Sequence, residues 1–335
     1  ASNSIFGHQI EIVTKLSPHF SKIIVVTNEF EDQVLPSNIE VLTVDWRSGD
    51  SLKSILDFYS KFFYVIQNNK VDLVFSHMVD TQAFLVSFIL RFKQIPHLFW
   101  YAHASYSLRA KLASELTTIN LSSSIGSYPF RKNKVLLIGQ SINCDNFEFN
   151  SKFQFPLNQM IHIGRLDKSK NLPLLFNLAK KQNCELFLYG RILDNRYGSA
   201  LQKLIEDNQK FVHYLGTCSR KEIPRILKKY DIFIHAYTGS LDKSILEATA
   251  VGKPVITLNQ EYINEFGAWS KMKNSSDLVF LDQELLALRN LSPNELQIEL
   301  LNRHQKLLRR HSLAHWIEEF IKICTISLYG NFNNK

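Results

Sequence analysis

Short apolar runs alternate with amphipathic segments along the first 150 residues of the chain. The apolar runs predict β-strands, and the segments between them, whose apolar residues recur at spacings of three and four, predict surface helices. Strands are predicted at residues 22–27, 41–44, 73–76, 97–101, 118–121 and 134–138, and helices at 52–67 and 81–92. This alternation is typical of βαβ units, so we expect an α/β domain with a parallel sheet.

An amphipathic helix is also predicted before the first of these strands. Its apolar positions are Ile5, Phe6, Ile10, Val13 and Leu16. In a doubly wound domain such a helix normally follows a strand. We therefore expect that the first strand of this N-terminal domain is missing.

A second alternating series begins near Gln159. Its strands are predicted at 160–164, 185–190, 211–216, 231–236 and 254–258, and its helices at 172–180, 200–207, 222–229 and 244–251. The stretch 147–157 follows neither period and is the candidate linker, so we expect two Rossmann-like domains in tandem. Two further amphipathic helices, at 295–310 and 314–324, are expected to pack on these domains rather than on a membrane.

The composition of the 335 residues excludes several classes of protein. With 45% hydrophobic and 21% charged residues, the chain is expected to form globular domains. Its longest apolar stretch, near 83–90, is far shorter than the roughly 18 residues of a membrane-spanning helix, and no signal-peptide pattern opens the sequence. We therefore expect a cytoplasmic protein. The four cysteines are too scattered for a CxxC site and are expected to be free thiols.

The net positive charge is confined to the second half of the chain. The first 150 residues contain 13 Lys and Arg and 13 Asp and Glu, so the whole net charge of +8 lies beyond them. Such an excess indicates an anionic partner, which can be nucleic acid, an anionic membrane surface or a phosphorylated small ligand. Composition alone does not choose among the three.

A basic loop follows the strand predicted at 160–164 and opens a helix. It reads GRLDKSKN and begins at Gly164. Arg165 and Lys170 therefore stand near backbone N–H groups at a helix N-terminus, where an anion is stabilised. The sequence predicts a diphosphate site here, with a solvated basic turn as the alternative.

A second loop joins the strand predicted at 231–236 to a helix. Gly239 and Ser240 allow a close approach of the backbone, and the helix after Asp242 points its first N–H groups at a bound phosphate. Glu247 lies one turn into that helix, where its carboxylate can accept two hydrogen bonds from a ribose. An exposed helical glutamate is the alternative, but the neighbours of Glu247 are apolar.

The sequence resembles the retaining glycosyltransferases of family 4, of the group 1 type, which have the GT-B fold. The resemblance is carried by IGRLDKSKNLPLL, LYGR, YLGTCSRKEIPRILKKYDIFIHA and above all GSLDKSILEATAVGKPVIT, with WYAHAS and IGQSINCDNF in the first half. It implies an α/β protein of two Rossmann-like domains facing each other across a cleft. Residues 1–150 would form the acceptor side, residues 151–310 would bind the nucleotide sugar, and a helix in 311–335 would cross back to the first domain.

The resemblance also implies roles for particular residues. Arg165 and Lys170 would contact the donor phosphates and assist catalysis, Glu247 would hold the ribose, and His103 in WYAHAS would be the active-site histidine. Further donor-binding positions are Gly7, Gly164, Gly190, Gly239, Ser240, Leu241 and Asp242.

The sequence departs from the family pattern at Gly239. The family often has two glutamates separated by seven residues, and here Glu247 is the second while Gly239 occupies the first position. The first glutamate usually contacts the donor sugar. Recognition of the sugar hydroxyls is therefore open, with Asp242 in the same loop as a candidate substitute.

His103 follows the strand predicted at 97–101 and can donate a hydrogen bond to a donor hydroxyl or phosphate. A structural role is the alternative, as it is for His77, a weaker candidate at another strand end. The sequence contains no zinc-binding spacing, P-loop or nucleophile elbow. No metal or other cofactor is expected, because Arg, Lys and a helix N-terminus can offset the charge of a leaving diphosphate.

The leading hypothesis is transfer of a sugar from a UDP- or GDP-sugar to an acceptor hydroxyl with retention of anomeric configuration. The acceptor would be a saccharide or a lipid-linked saccharide in the assembly of a cell-surface polysaccharide or glycolipid, with peripheral contact at the inner face of the membrane. The alternatives are a sugar-nucleotide epimerase on the same plan and a non-catalytic nucleic-acid-binding protein. Nucleic acid is not expected as a partner, because aromatic residues do not interleave with basic ones on any predicted strand pair.

Overall fold

The structure is a computed structural model that describes residues 8–30, 34–46, 51–150, 155–272 and 275–329. The chain divides into two compact units. Unit 1 comprises Ala1–Ser141 and Leu313–Lys335, and unit 2 comprises Ile142–Ser312. All the strand pairs formed by the described residues are parallel.

The strands occur in the order and at the places that the sequence predicts. The strands are β1 (Ile23–Thr27), β2 (Ile39–Thr43), β3 (Val74–His77), β4 (His97–Trp100), β5 (Ile119–Ser122), β6 (Val135–Leu137), β7 (Gln159–Ile163), β8 (Glu185–Tyr189), β9 (Val212–Tyr214), β10 (Ile232–His235) and β11 (Val255–Thr257). The helices are α1 (His8–Leu16), α2 (Leu52–Asn68), α3 (Asp80–Phe92), α4 (Leu108–Leu116), α5 (Leu172–Gln182), α6 (Asn195–Asp207), α7 (Ile223–Leu227), α8 (Lys243–Val251), α9 (Gln260–Phe266), α10 (Asp277–Arg289), α11 (Pro293–His311) and α12 (Leu313–Tyr329).

Unit 1 contains a two-stranded sheet, β1–β2, and a four-stranded sheet in the order β3–β4–β5–β6. Strand β4 is buried on both faces, and its side chains alternate between two layers of helices. Leu98 and Trp100 pack with Trp316 and other residues of α12, whereas Phe99 packs with small residues of α3 and α4. The last helix therefore belongs to the core of unit 1.

Unit 2 contains one five-stranded sheet in the order β11–β10–β7–β8–β9. One face of β7, which carries Ile161, packs against α8, and the other face, which carries Met160, packs against α5 and α10. The sheet is thus covered by helices on both faces, as a parallel sheet requires.

Helix α11 begins with a capping box, in which Ser292 and Glu295 satisfy each other's backbone N–H groups.

The division between the units lies before the boundary at 150/151 that the sequence predicts. Ile142 and Phe147 are buried in an apolar cluster of unit 2, and Leu157 is buried in another. Both ends of the predicted linker, 147–157, thus belong to the core of unit 2 rather than joining two separate bodies.

Among the helices of the described residues, none is both long enough and apolar enough to cross a membrane.

Candidate site for a nucleoside diphosphate

The loops that follow the strands of unit 2 lie at one edge of its parallel sheet. The backbone N–H of Gly164 donates to Tyr189 across 3.0 Å, and the N–H of Gly190 donates to Gly216 across 2.8 Å. A Cβ atom at Gly190 would lie 1.7 Å from the carbonyl oxygen of Gly164, so a larger residue cannot occupy this position. Glycine there allows the loops after β7, β8 and β9 to pack closely.

Lys170 connects the loop after β7 to the loop after β10. Its side chain is only 4% exposed, and its Nζ lies 2.5 Å from Oδ2 of Asp242. The same ammonium group lies over the ring of Tyr237, 4.1 Å from the ring centroid. The structure therefore brings two of the predicted site residues together, 72 positions apart in the sequence.

Asp242 is the N-cap residue of α8 and accepts a hydrogen bond from the backbone N–H of Ser244. Nε2 of His235 lies 3.3 Å from the same carboxylate oxygen that Lys170 contacts. Burial alone would raise the pKa of Asp242, but the hydrogen bond from His235 and the charge of Lys170 outweigh it and hold the pKa well below its usual range. Both carboxylate oxygens thus have partners within unit 2.

The side chain of Tyr237 leaves no room for a residue larger than glycine at position 239. A Cβ atom at Gly239 would lie 2.1 Å from the Tyr237 hydroxyl oxygen, which also accepts from the backbone N–H of Ser240 across 3.3 Å. The side-chain amide of Asn259 donates to the carbonyl oxygens of Gly239 and Ser240, 3.1 Å from each. The tyrosine hydroxyl therefore fills the space into which a side chain at position 239 would extend.

Glu247 is buried, with 4% of its surface exposed, and its Oε1 lies 3.0 Å from Nη1 of Arg220. Burial raises the pKa of Glu247, although the charge of Arg220 opposes the shift. Arg220 lies in the loop after β9 and is not among the predicted site residues. The available signal was its place in the segment YLGTCSRKEIPRIL, which resembles the family.

The remaining predicted residues of unit 2 differ in their exposure. Arg165 is about half exposed, 3.8 Å from Asp167, whereas the side chain of Leu241 is buried in an apolar cluster. The hydroxyl of Ser244, in the first turn of α8, is buried and has no hydrogen-bond partner among the described residues. Positive charge, a helix N-terminus and an unpartnered hydroxyl together favour an anionic, oxygen-rich ligand.

The two candidate histidines of unit 1 have different surroundings. Nδ1 of His103 accepts from the backbone N–H of Ser105 across 3.0 Å, so a neutral ring carries its proton on Nε2. His77, at the end of β3, stacks on Trp100 and lies within hydrogen-bond distance of Gln9. The structure thus makes His103 a hydrogen-bond donor through Nε2. The remaining predicted position, Gly7, lies outside the described residues.

The described residues contain no group of three or more His, Cys, Asp or Glu side chains that could hold a metal ion.

A buried histidine beneath this site makes stability depend on pH. Nδ1 of His162 in β7 donates to the carbonyl oxygen of Ile234, and burial lowers the pKa of His162 to about 3. Its unfolded pKa is about 6.5. Between these values the unfolded chain binds a proton that the folded chain does not, so the free energy of unfolding falls as the pH falls.

Lowering the pH from 6.5 to 5 is expected to remove about 1.7 kcal/mol of unfolding free energy through His162 alone, because the slope rises to about 1.4 kcal/mol per pH unit as the pH falls below 6.5. Urea unfolding of parent and His162→Asn at both pH values measures this contribution, which the variant should lack. His213→Asn, at a histidine of the same unit whose side chain is 33% exposed, is the control. An unchanged pH slope in His162→Asn would contradict the assignment.

Residues 145–267 match the model of a protein family described as glycosyl transferases group 1. This segment contains every candidate donor-binding residue of unit 2, from Gly164 to Glu247. No curated protein matches the chain in sequence.

Solved structures resemble the chain over nearly its whole length. A glycosyltransferase from Rickettsia africae is 14% identical, with 98% of this chain and 96% of that chain covered and a TM-score of 0.77. HepE of Anabaena in complex with UDP-glucose is 15% identical, with 97% of each chain covered and a TM-score of 0.74. WaaG, a glycosyltransferase involved in lipopolysaccharide biosynthesis, is 14% identical, with 95% of each chain covered and a TM-score of 0.65.

These similarities define the fold as that of the GT-B glycosyltransferases, as the sequence predicted. Within that fold, residues 145–267 form the domain segment that matches glycosyl transferases group 1. The prediction of an enzyme of the glycosyltransferase class is therefore confirmed at the level of this domain.

Proposed function

We propose that the protein transfers a sugar from a nucleoside diphosphate sugar to an acceptor hydroxyl, with retention of anomeric configuration. The observation that carries the proposal is a set of two ion pairs, whose carboxylates belong to the N-cap residue and the first half of α8. Lys170–Asp242 and Arg220–Glu247 bring together the loops after β7, β9 and β10 within the group 1 glycosyl transferase domain. Such a cluster offers both cations and a carboxylate to one ligand.

The diphosphate and the ribose would be bound by different members of this cluster. Arg165 is accessible, and Asp242 takes only one of the three N–H donors of Lys170, so both cations have donors for phosphate oxygens. The carboxylate of Glu247, which lies beside Arg220, would accept from the ribose hydroxyls. The base would contact mainly backbone near Gly190 and Gly216.

A retaining transfer needs no dedicated general base from the protein. The bond between the anomeric carbon and the leaving phosphate oxygen breaks, the acceptor oxygen bonds to the same face of that carbon, and the acceptor proton passes to the leaving phosphate. Arg165 and Lys170 would stabilise the charge that develops on the diphosphate. His103 would donate from Nε2 to a hydroxyl or phosphate of the donor.

The donor that we propose first is a UDP-sugar, with a GDP-sugar as the other candidate. HepE is described in complex with UDP-glucose, and its structure resembles this chain along nearly its full length. For the acceptor we propose a saccharide or lipid-linked saccharide of a cell-surface polysaccharide or glycolipid. The similarity to WaaG, which is involved in lipopolysaccharide biosynthesis, supports that class.

Isothermal titration with UDP, GDP and their sugar conjugates tests the donor, and the anomeric configuration of the product by NMR tests retention. Binding of a nucleoside diphosphate in the micromolar range, together with a product of unchanged anomeric configuration, is the expected result. An inverted product would exclude the retaining mechanism. Failure to bind any nucleoside diphosphate would exclude the whole proposal. The group 1 domain favours transfer over the epimerase and the nucleic-acid-binding alternatives.

Glu247→Gln is expected to weaken the binding of UDP and of free uridine alike, by roughly 10-fold or more, because a hydrogen bond to a charged group contributes about 1.5–3 kcal/mol. The substitution keeps the shape of the side chain but removes its charge. Titration with 2′,3′-dideoxyuridine diphosphate should then give equal affinities for parent and variant. Glu206→Gln, on the exposed side of α6, is the control. A variant that still prefers the ribonucleotide as strongly as the parent would rule out the ribose role.

A further inference from the structure

A chain of buried polar groups continues behind the carboxylate of Asp242. His235 and Thr257 are the last residues of β10 and β11, and the register of these strands places them side by side. Nδ1 of His235 lies 3.1 Å from the hydroxyl oxygen of Thr257, which also accepts from the backbone N–H of Asn259 across 3.0 Å. His235 and Asn259 are fully buried, and Thr257 is 2% exposed. The chain therefore links the loop after β11 to Asp242 and, through it, to Lys170.

The direction of each hydrogen bond in this chain follows from the charges of its members. The carboxylate of Asp242 is ionised and can only accept, so Nε2 of His235 carries a proton. Burial lowers the pKa of His235, although Asp242 opposes the shift, so the ring is neutral at pH 7 and its Nδ1 is an acceptor. The hydroxyl of Thr257 therefore donates to Nδ1. It thereby fixes the tautomer that directs an N–H group at Asp242.

Asn259 holds the far end of the chain in place. It is the N-cap residue of α9, and its Oδ1 accepts from the backbone N–H of Tyr262 across 3.0 Å. Its side-chain amide donates to the carbonyl oxygens of Gly239 and Ser240, in the loop that precedes Asp242. The backbone N–H that donates to the threonine hydroxyl is thus fixed between the loop after β10 and the start of α9.

A contribution to stability alone does not account for this chain. Apolar side chains of similar shape can often replace a buried polar network without loss of stability, because each polar group gives up its hydrogen bonds to water on burial. The chain ends at the ammonium group of Lys170, which has three N–H donors, of which Asp242 takes one. The orientation of the other donors depends on where the carboxylate is held.

We propose that His235 and Thr257 are positioning residues for the donor diphosphate. They would hold the carboxylate of Asp242, and the carboxylate would direct the remaining N–H donors of Lys170 at the phosphate oxygens. Neither residue would touch the ligand. The inference rests on the proposed function, because it requires that Lys170 contacts the diphosphate.

Two substitutions of Thr257 separate its hydroxyl from its packing. Thr257→Val keeps the shape but removes the donor to His235, so UDP affinity should fall roughly 5-fold to 10-fold while uridine affinity stays within about twofold. Thr257→Ser keeps the hydroxyl but loses a buried methyl group. Its unfolding midpoint in urea should fall, yet its UDP affinity should stay within about twofold of the parent. Affinities that follow stability in both variants would overturn the proposal.

Thr249→Val is the matched control in the same unit. Thr249 is 1% exposed on α8, and its hydroxyl donates to the carbonyl oxygen of Ile245. The same change at this buried hydroxyl should alter UDP affinity by less than about twofold, because Thr249 has no place in the chain to Asp242. A loss of UDP affinity equal to that of Thr257→Val would show a general effect of buried hydroxyls and overturn the proposal.

A double-mutant cycle with Lys170→Ala distinguishes failure of this inference from failure of the proposed function. Thr257→Val should have no further effect on UDP affinity when Lys170 is already alanine. If Lys170→Ala weakens UDP binding and Thr257→Val does not, the positioning role is wrong and the phosphate site stands. If Lys170→Ala leaves UDP affinity unchanged, the phosphate role of Lys170 is wrong, and the positioning role fails with it.

Nitrogen NMR of protein with isotope-labelled histidine rings tests the assigned tautomer directly. At pH 7 His235, identified as the ring whose signals His235→Gln lacks, is expected to be neutral with its proton on Nε2. His235→Gln can still direct an amide N–H at Asp242, so it should retain more UDP affinity than His235→Ala. A proton on Nδ1, a charged ring, or equal losses in the two variants would overturn the proposal.

Discussion

Lys170→Ala is expected to lose nucleoside diphosphate binding and to destabilise unit 2 at the same time. The ammonium group would contribute a charge-assisted contact of about 1.5–3 kcal/mol to a phosphate, so UDP affinity should fall by roughly 10-fold to 100-fold. The same substitution leaves Asp242 with only His235 and the N-terminus of α8 as partners. Removal of one partner of a buried ion pair costs about 3–5 kcal/mol, so the urea midpoint should also fall.

Arg165→Ala separates the two effects. The side chain of Arg165 is about half exposed, and its carboxylate neighbour Asp167 lies 3.8 Å away, so its loss should hardly change stability. Affinity for UDP should nevertheless fall about 10-fold or more, whereas affinity for uridine should stay the same. Calorimetric titration and urea unfolding of both variants measure the two quantities independently.

The double variant Lys170→Met/Asp242→Asn separates a direct loss of phosphate binding from a loss caused by destabilisation, which Lys170→Ala alone cannot do. Asparagine can still cap α8, and the pair no longer contains an isolated charge, so much of the lost stability should return. Diphosphate affinity should remain low, because the cation is still absent. Affinity that recovers together with stability would show that Lys170 acts only through folding, and the phosphate role would be wrong.

The sequence predicts the strands of unit 2 well because their signals are local. Each strand is a short apolar run, and the loops at Gly164 and Gly190 are marked by glycine.

Helix α4 escaped prediction because its buried positions are occupied by Ala110, Ala113 and Ser114, which give no apolar periodicity. Helix α10 escaped because it buries Asp282 and Glu284 along with its leucines, which interrupts the pattern.

Contacts between loops could not be predicted, because they join residues far apart in sequence. The sequence marks Lys170 and Asp242 separately, but only the folded sheet brings their loops within ion-pair distance. Sequence comparison identifies Gly239 as a departure from the family pattern. The structure adds the physical reason, since the Tyr237 hydroxyl occupies the adjacent space. In the same way, the partner of Glu247 is Arg220, from a different loop.

His103→Ala is expected to lower kcat/KM about 100-fold or more, the scale seen when one polar contact to a transition state is removed. The backbone N–H of Ser105 donates to Nδ1 of His103, which fixes the tautomer and leaves Nε2 as the donor. The residues proposed to contact the diphosphate and the ribose belong to unit 2, so UDP affinity should remain the same as in the parent. Steady-state kinetics with the acceptor and titration with UDP measure the two expectations.

Two further variants distinguish a catalytic role of His103 from a structural one. His103→Gln keeps a side-chain N–H donor, so it should recover part of the turnover that His103→Ala loses, whereas a packing role would not favour it. His77→Ala removes a ring that stacks on Trp100, so it should lower the stability of unit 1 with a much smaller effect on kcat/KM. Near-parent turnover in His103→Ala would show that His103 has a structural role. Its position after a strand would then be the only feature that sets it apart, and that position alone indicates such a role. A loss of activity that follows a loss of stability equally in both alanine variants would lead to the same conclusion.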